Sequence, residues 1–282
     1  MTELLLTGLK VSVAALILGI GLGEPAGDVL YVWRRPGLLA RSLLAMYVLV
    51  PLVAVAMAKV LPLTIGAKAA LLLLAVSAGA PLLPRRLAAF GAGPYLFSLV
   101  FTSSLLALVV VPLSFRALTA FFEVPVETPA LAVAAVIGKS FLLPLAVGML
   151  VRAVLPERIR ERVVPVLTGA AAILLVICTA LLLATNLPLL LEARLSGIAA
   201  LVVLMAISLA IGHALGGPEP GERSALAVAC ATRHLGVALL VASTLAGPRL
   251  VVVIGIYIVV SLAVTTPYLR WRRHALVARP AR

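Results

Sequence analysis

An arginine and a histidine stand side by side within an apolar run, in the stretch Ala-Thr-Arg-His-Leu-Gly-Val-Ala at residues 231–238. A charge at the centre of a membrane-spanning helix costs about 2.5–3.5 kcal/mol on insertion scales. Arg233 could offset that cost by satisfying backbone carbonyls, by serving as a built-in cation, or by binding an anion. His234 could titrate near neutral pH, or could pack with a single hydrogen bond. We favour a functional role for Arg233 and a packing role for His234.

A second cation, Lys139, lies in the apolar run Ile-Gly-Lys-Ser-Phe at residues 137–141. It is too deep to reach the interface comfortably, so we expect it to face the protein interior. All ten Asp and Glu residues fall at termini, loops or predicted interfaces. An interior with cations and no resident anion points to an anionic substrate.

The sequence contains no catalytic or cofactor signature. Gly138-Lys-Ser140 lacks the first glycine of a phosphate loop, and no Gly-x-Ser-x-Gly elbow, carboxylate pair or metal-spaced histidine pair occurs. Cys178 and Cys230 each lie deep in apolar runs, which favours packing over a disulfide or a metal site. We therefore predict no enzyme activity, no catalytic residue, no cofactor and no metal.

The elements that position these residues follow from composition. The 282 residues are 63% hydrophobic and 12% charged, whereas soluble domains are about half apolar. The net charge of +13 could suggest nucleic acid, but aromatic residues are only 5% and no recognition motif occurs. A window of roughly 20 apolar residues predicts an all-α polytopic membrane protein, a single transmembrane domain of nine spans. The predicted spans are 4–23, 37–59, 66–90, 94–118, 129–152, 163–185, 195–215, 223–246 and 249–269.

The basic residues predict the orientation of these spans. With the N-terminus outside, fifteen of the 23 Lys and Arg residues fall in inside segments, five outside and three within spans. Because cytoplasmic loops carry the excess of Lys and Arg, this distribution predicts a cytoplasmic C-terminal tail at 271–282. The protein is expected to be integral to the cytoplasmic membrane.

The two halves resemble each other. Span 3 begins at Lys68 with a hydroxyl residue, Ser77, nine positions later, and span 8 begins at Arg223 with Thr232 at the same spacing. Since five spans separate the partners, they face opposite ways, which predicts an inverted repeat of about 4–118 and about 163–270 joined by a linking span at 129–152. Glycine and two prolines in 77–84 predict a helix break in span 3. The corresponding break in span 8 lacks a proline.

Four segments, in this order and spacing, resemble the bile acid:sodium symporter superfamily over almost the whole chain. Residues 22–37 resemble the family's first loop, and Met-Tyr-Val-Leu-Val-Pro at 46–51 resembles its Gln-Phe-x-x-Met-Pro. Leu-Pro-Leu-Ala-Val-Gly at 143–148 resembles its Leu-Pro-x-x-x-Gly, and Leu-Gly-Val-Ala at 235–238 resembles its Ser-Gly-Leu-Ala. The resemblance implies a six-span core, a three-span panel and two discontinuous helices, spans 3 and 8, that cross near the midplane. It also implies secondary transport of bile-acid-like or other organic anions by alternating access.

The chain departs from the family where sodium binds. The resemblance implies a substrate and crossover region that contains Ser77, Gly79, Pro81, Pro84, Lys139, Thr232, Arg233, His234 and Gly236. The positions that replace the family's sodium ligands are Met46, Leu83, Ala229 and Arg233. Because hard cations need oxygen ligands, we predict that sodium is not the coupling ion and that Arg233 substitutes for it. Transport would then be facilitated or proton-linked through His234.

The loss of sodium ligands also fits a second class of protein. A non-transporting sensor or scaffold on the same fold would need neither coupling ion nor substrate. The two classes predict different partners beyond the lipid bilayer: a small organic anion for the transporter and another protein for the scaffold.

Overall fold

A computed structural model describes residues 2–77, 92–122, 135, 138–191, 195–233 and 248–277. Throughout these ranges the regular elements are helices, and none is a strand. Five helices in the described part are long and apolar enough to cross a membrane: Glu3–Gly23, Pro36–Val60, Gly93–Ser114, Glu157–Thr185 and Leu195–Leu215. The all-α class is confirmed, whereas the count of nine spans and the inverted repeat stay predictions.

The helices overlap the predicted spans, although several are shorter than predicted. They are α1 Thr2–Gly23, α2 Pro36–Val60, α3 Ile65–Val76, α4 Gly93–Phe122, α5 Leu143–Val154, α6 Glu157–Thr185, α7 Leu195–Leu215, α8 Pro220–Ala231 and α9 Pro248–Val277. Shorter pieces are a 3₁₀ turn at Ala26–Leu30, a π turn at Gly138–Leu142 that leads into α5, and a helical turn at Leu187–Leu191. Within α2, residues Leu44–Leu49 form a second π turn.

Local sequence sets the starts of several helices. Proline opens α2 and α8, where its missing N–H has no intrahelical partner to lose. Thr64 caps α3 by accepting a hydrogen bond from the Ala67 N–H at 3.3 Å.

Two central helices, α3 and α8, are too short to span a bilayer. Each has twelve residues, or about 18 Å of rise against a hydrocarbon core of about 30 Å. Every residue from Ala70 to Val76 is buried, and α8 is buried from Gly221 to Ala231 except at Arg223. A helix that is buried on all sides belongs to the core of a helical assembly.

The remaining helices surround this centre in two groups. α1 lies along α5 and α6, while α7 lies along α8 and also contacts α2 and α9. Glycines allow the closest approaches: a Cβ on Gly21 would lie 2.5 Å from the Leu145 carbonyl, and one on Gly148 would lie 2.5 Å from the Leu18 carbonyl. On the other side, a Cβ on Gly212 would lie 2.6 Å from the Ala227 Cα. Small residues let membrane helices pack backbone to backbone in this way.

Candidate functional site

The two central helices end in the same manner. The Ser77 hydroxyl donates to the Leu73 carbonyl at 2.7 Å, and the Thr232 hydroxyl donates to the Val228 carbonyl at 2.7 Å. Each of these residues also donates its backbone N–H to that same carbonyl. Ser77 has ψ 56° and Thr232 has ψ 135°, so neither continues the helix. α3 therefore ends at Val76, just before the segment 77–84 in which the sequence predicts a break, and α8 ends at Ala231, where the sequence has no proline.

Arg233 directly follows the end of α8 and points into the protein. Its side chain is 3% exposed, and its Nη1 lies 3.4 Å from the backbone carbonyl of Met46 in α2. Its backbone N–H donates to the Tyr257 hydroxyl of α9. Its Nη2 is buried and has no hydrogen-bond partner among the described residues. Arg233 thus connects the end of α8 to α2 through its guanidinium and to α9 through its backbone, and its Nη2 has no partner among the described residues.

The Met46 carbonyl is open because of Pro51. In the π turn, the Val50 N–H bonds to the Ala45 carbonyl, five residues back. The next residue, Pro51, has no N–H to offer to Met46. π turns of this kind are often found at functional sites. Arg233 therefore meets an acceptor that the helix itself leaves without a partner.

Other hydroxyl groups complete the surroundings of Arg233. Tyr47, next to Met46, donates its hydroxyl to the Ser103 carbonyl of α4 at 2.8 Å. Ser261 lies one helical turn beyond Tyr257, and its hydroxyl is buried. No carboxylate forms an ion pair with Arg233 in the part of the chain that the structure describes. A buried charge without a counter-ion is costly, so the arrangement is suited to an anion.

The structure brings together two of the four positions that replace sodium ligands, Met46 and Arg233. Ala229 is fully buried in α8, one turn before Arg233. The other predicted members lie outside the described residues: Gly79, Pro81, Leu83, Pro84, His234 and Gly236.

Lys139 does not lie where the sequence predicted. It belongs to the π turn before α5, and its side chain is exposed, whereas the adjoining Phe141 is buried. This exposure does not support the expectation that Lys139 faces the interior. The same π turn thus holds one exposed cation and, two residues later, one buried aromatic side chain.

A buried carboxylate was missed by sequence reasoning. Glu222, in the first turn of α8, is 3% exposed. Its Oε1 accepts hydrogen bonds from Arg35 Nη1 at 2.6 Å and from the Tyr31 hydroxyl at 2.8 Å. Its Oε2 is buried and has no partner among the described residues. The sequence shows Glu222 just after a proline that can start a helix. Its burial, however, depends on the loop that carries Tyr31 and Arg35 and covers it.

Glu222 does not neutralise Arg233. The two residues lie at opposite ends of α8, eleven residues apart, which is about 16 Å along a helix. Arg35 carries the opposing charge for Glu222, and its guanidinium also lies 4.4 Å from the centre of the Tyr31 ring. The two charged sites are therefore separate.

A further polar contact joins the ends of α1, α4 and α5. Arg152 Nη1 donates to the carbonyls of Gly23 at 2.5 Å and Leu22 at 3.1 Å, which caps α1. Glu24 lies against the start of α4, where a Cβ on Gly93 would come within 2.1 Å of its Oε1. Burial raises the pKa of Glu24 above its ordinary value, and Asp28 adds to this effect while Arg152 opposes it. Glu24 therefore lies between the end of α1 and the start of α4.

Comparison with known proteins agrees with this all-helical membrane architecture. No curated protein matches the chain. The family model described as "Sodium Bile acid symporter family" matches residues 11–193. The matched part includes Met46 and Lys139 but ends before α8 and Arg233. Members of this family are transporters, and the match covers well over half of the 282 residues. The chain therefore belongs to the sodium bile acid symporter family.

Proposed function

We propose that the protein is a secondary transporter of small organic anions that works by alternating access without sodium. The observation that carries this proposal is the contact between Arg233 and the Met46 carbonyl. The family resemblance assigns sodium ligands to both positions. A guanidinium beside Met46 would supply a fixed positive charge in the region where the resemblance puts the sodium ligands.

Electrostatics favour this substitution. Two unit charges 4 Å apart interact by about 4 kcal/mol at an effective dielectric constant of 20, so a sodium ion beside Arg233 would be repelled. The free Nη2 and the absence of a described carboxylate partner favour an incoming anion instead. Small carboxylates of the bile-acid-like and keto-acid-like kinds are the substrates to screen.

The packing supports the predicted machinery. α1, α5 and α6 contact one another mainly through α1, which fits a three-helix panel. The matched endings of α3 and α8 at Ser77 and Thr232 fit two related half-helices that meet at the centre. In transporters with inverted repeats, such discontinuous helices form the substrate site.

The contacts at one end of the molecule support the predicted orientation. Four of them join segments that the charge distribution places on the cytoplasmic side: Arg35 to Glu222, Arg152 to Gly23, Glu24 to Gly93, and Arg272 to Pro220. We propose that the N-terminus lies outside and the C-terminus in the cytoplasm.

Uptake by the full chain in proteoliposomes tests the proposal. We expect accumulation of an organic anion at the same rate in sodium and in choline buffers. A steep sodium requirement would contradict the proposal. If His234 carries a coupling proton, a proton gradient should accelerate uptake. A His234→Gln variant should then lose this acceleration but still transport the anion down its concentration gradient.

Ligand-induced thermal stabilisation identifies the substrate and tests Arg233. The wild-type protein should be stabilised by at least one organic acid, and Arg233→Ala should abolish that shift. Lys139→Ala is the matched control, because it also removes one cation but from an exposed position. Absence of any ligand effect, together with a stably bound protein partner, would favour the sensor or scaffold function.

A further inference from the structure

Three aromatic rings pack together near the end of α9. The His213 Nδ1 of α7 lies 2.9 Å from the Tyr268 hydroxyl. The Trp271 ring centre lies 5.7 Å from that of His213 and 5.8 Å from that of Tyr268. Trp271 is nevertheless 55% exposed. The indole is thus packed against His213 and Tyr268, with the Arg272 guanidinium 5.7 Å from its ring centre, and more than half of the residue stays exposed.

The basic residues around this indole divide into two kinds. Arg272 turns inward, donating from Nε to the Ser224 hydroxyl and from Nη2 to the Pro220 carbonyl, each at 3.0 Å. Arg270, Arg273 and His274 are exposed. Positions i, i+3 and i+4 share one helical face, so these three lie together. Neither Arg270 nor Arg273 forms an ion pair within the described ranges.

The position of these residues along α9 is suited to a membrane surface. The predicted ninth span ends at 269, so the next turns emerge from the hydrocarbon region. Tryptophan and tyrosine favour the level of the lipid headgroups, and arginine near that level is attracted to anionic lipids. A soluble anion without an apolar part would contact the cations but would gain no binding energy from the exposed indole beside them.

We propose that Arg270, Trp271, Arg273 and His274 form a headgroup patch that binds an anionic phospholipid. The two arginines contact the headgroup phosphate, and the Trp271 indole packs beside the glycerol and the upper acyl chain. Because Arg272 ties the same turn to the first turn of α8, a bound lipid also steadies the contact between α8 and α9. The proposal is independent of the transported substrate.

Quenching of Trp271 by brominated lipids tests this patch directly. The chain has two tryptophans, so a Trp33→Phe variant leaves Trp271 as the reporter. The full-length protein in detergent is titrated with brominated phosphatidylglycerol or brominated phosphatidylcholine. We expect the anionic lipid to quench at a much lower mole fraction. Replacement of both arginines by Arg270→Gln and Arg273→Gln should weaken this preference by about 30-fold.

Matched variants show whether lipid binding depends on this patch or on the positive charge of the surface in general. Arg158→Gln with Arg162→Gln removes two exposed cations that are also predicted to be cytoplasmic, and should leave the quenching unchanged. Arg270→Lys with Arg273→Lys should retain most of the preference, which also shows that this turn tolerates substitution. Equal quenching by both lipids, or an equal loss in the Arg158 and Arg162 variant, would overturn the proposal. So would competition by soluble glycerol phosphate at constant ionic strength, because that result would indicate a free-anion site.

Discussion

The guanidinium of Arg233 meets the backbone carbonyl of Met46, 187 residues away in the sequence, with 3.4 Å between Nη1 and the oxygen. The carbonyl is available because Pro51 has no N–H, and the guanidinium reaches it because α8 ends at Ala231. The end of α8 and the proline in α2 therefore together make the contact between Arg233 and Met46 possible.

Tyr257 positions Arg233, since its hydroxyl accepts the Arg233 backbone N–H. We expect Tyr257→Phe to reduce organic-anion affinity about tenfold, because a buried N–H without an acceptor costs about 1–3 kcal/mol and frees the arginine to move. Ligand-induced thermal shifts measure the affinity. Tyr95→Phe is the matched control, because this buried hydroxyl hydrogen-bonds to Ser42 rather than to Arg233. Equal losses in both variants would indicate general loosening of the core.

The sodium site should be partly recoverable. The family pattern Glu-x-x-x-Gln aligns with Ala229 and Arg233, so the double change Ala229→Glu and Arg233→Gln restores both residue types. We expect uptake by this variant to become faster in sodium than in choline, whereas Arg233→Gln alone should be inactive in both. A double variant that remains indifferent to sodium would show that Met46 or Leu83 also prevents sodium binding.

The pair formed by Arg35 and Glu222 should show strong coupling. Arg35→Ala removes one of the two described hydrogen-bond donors to the buried Glu222 carboxylate and leaves the Tyr31 hydroxyl. We therefore expect the free energy of unfolding to fall by about 2 kcal/mol. The double variant Arg35→Ala and Glu222→Gln should be more stable than Arg35→Ala, because it removes the uncompensated charge. Thermal unfolding in detergent compares them. Simple additivity of the two single changes would refute the coupling.

Glu24 predicts a pH dependence of stability. Burial raises its pKa in the folded protein, so the neutral form is favoured there, and stability decreases as pH rises above the ordinary value of 4.5 and through the higher folded value. We expect Glu24→Gln to unfold at a higher temperature than wild type at neutral pH. The difference should vanish below pH 4.5, where both side chains are uncharged. Asp28→Asn should produce a smaller change of the same sign, since Asp28 only adds to the effect of burial. A constant difference at every pH would contradict this cause.

Much of the architecture is local enough to be predicted from sequence. Apolar runs predict membrane helices because a helix needs about 20 mostly apolar residues to cross the bilayer. The bounds of α1, α2 and α7 agree with the predicted spans within a few residues. The break at Ser77 follows from nearby proline and glycine. Family membership was also visible, because short motifs in a fixed order survive substitution of the residues between them.

Sequence by itself thus determined the helical membrane class, the position of the Arg233 charge within an apolar run and the family, all of which depend on residue type and spacing. Tertiary structure decided what that charge contacts. Met46 lies in α2, Tyr257 lies in α9 and Arg233 follows α8, and no local pattern states which carbonyl or hydroxyl will meet Arg233. The same applies to Lys139, which a π turn leaves exposed, and to Glu222, which is buried because the loop carrying Tyr31 and Arg35 covers it. Burial and pairing are properties of packed neighbours, so they emerge only when distant segments meet.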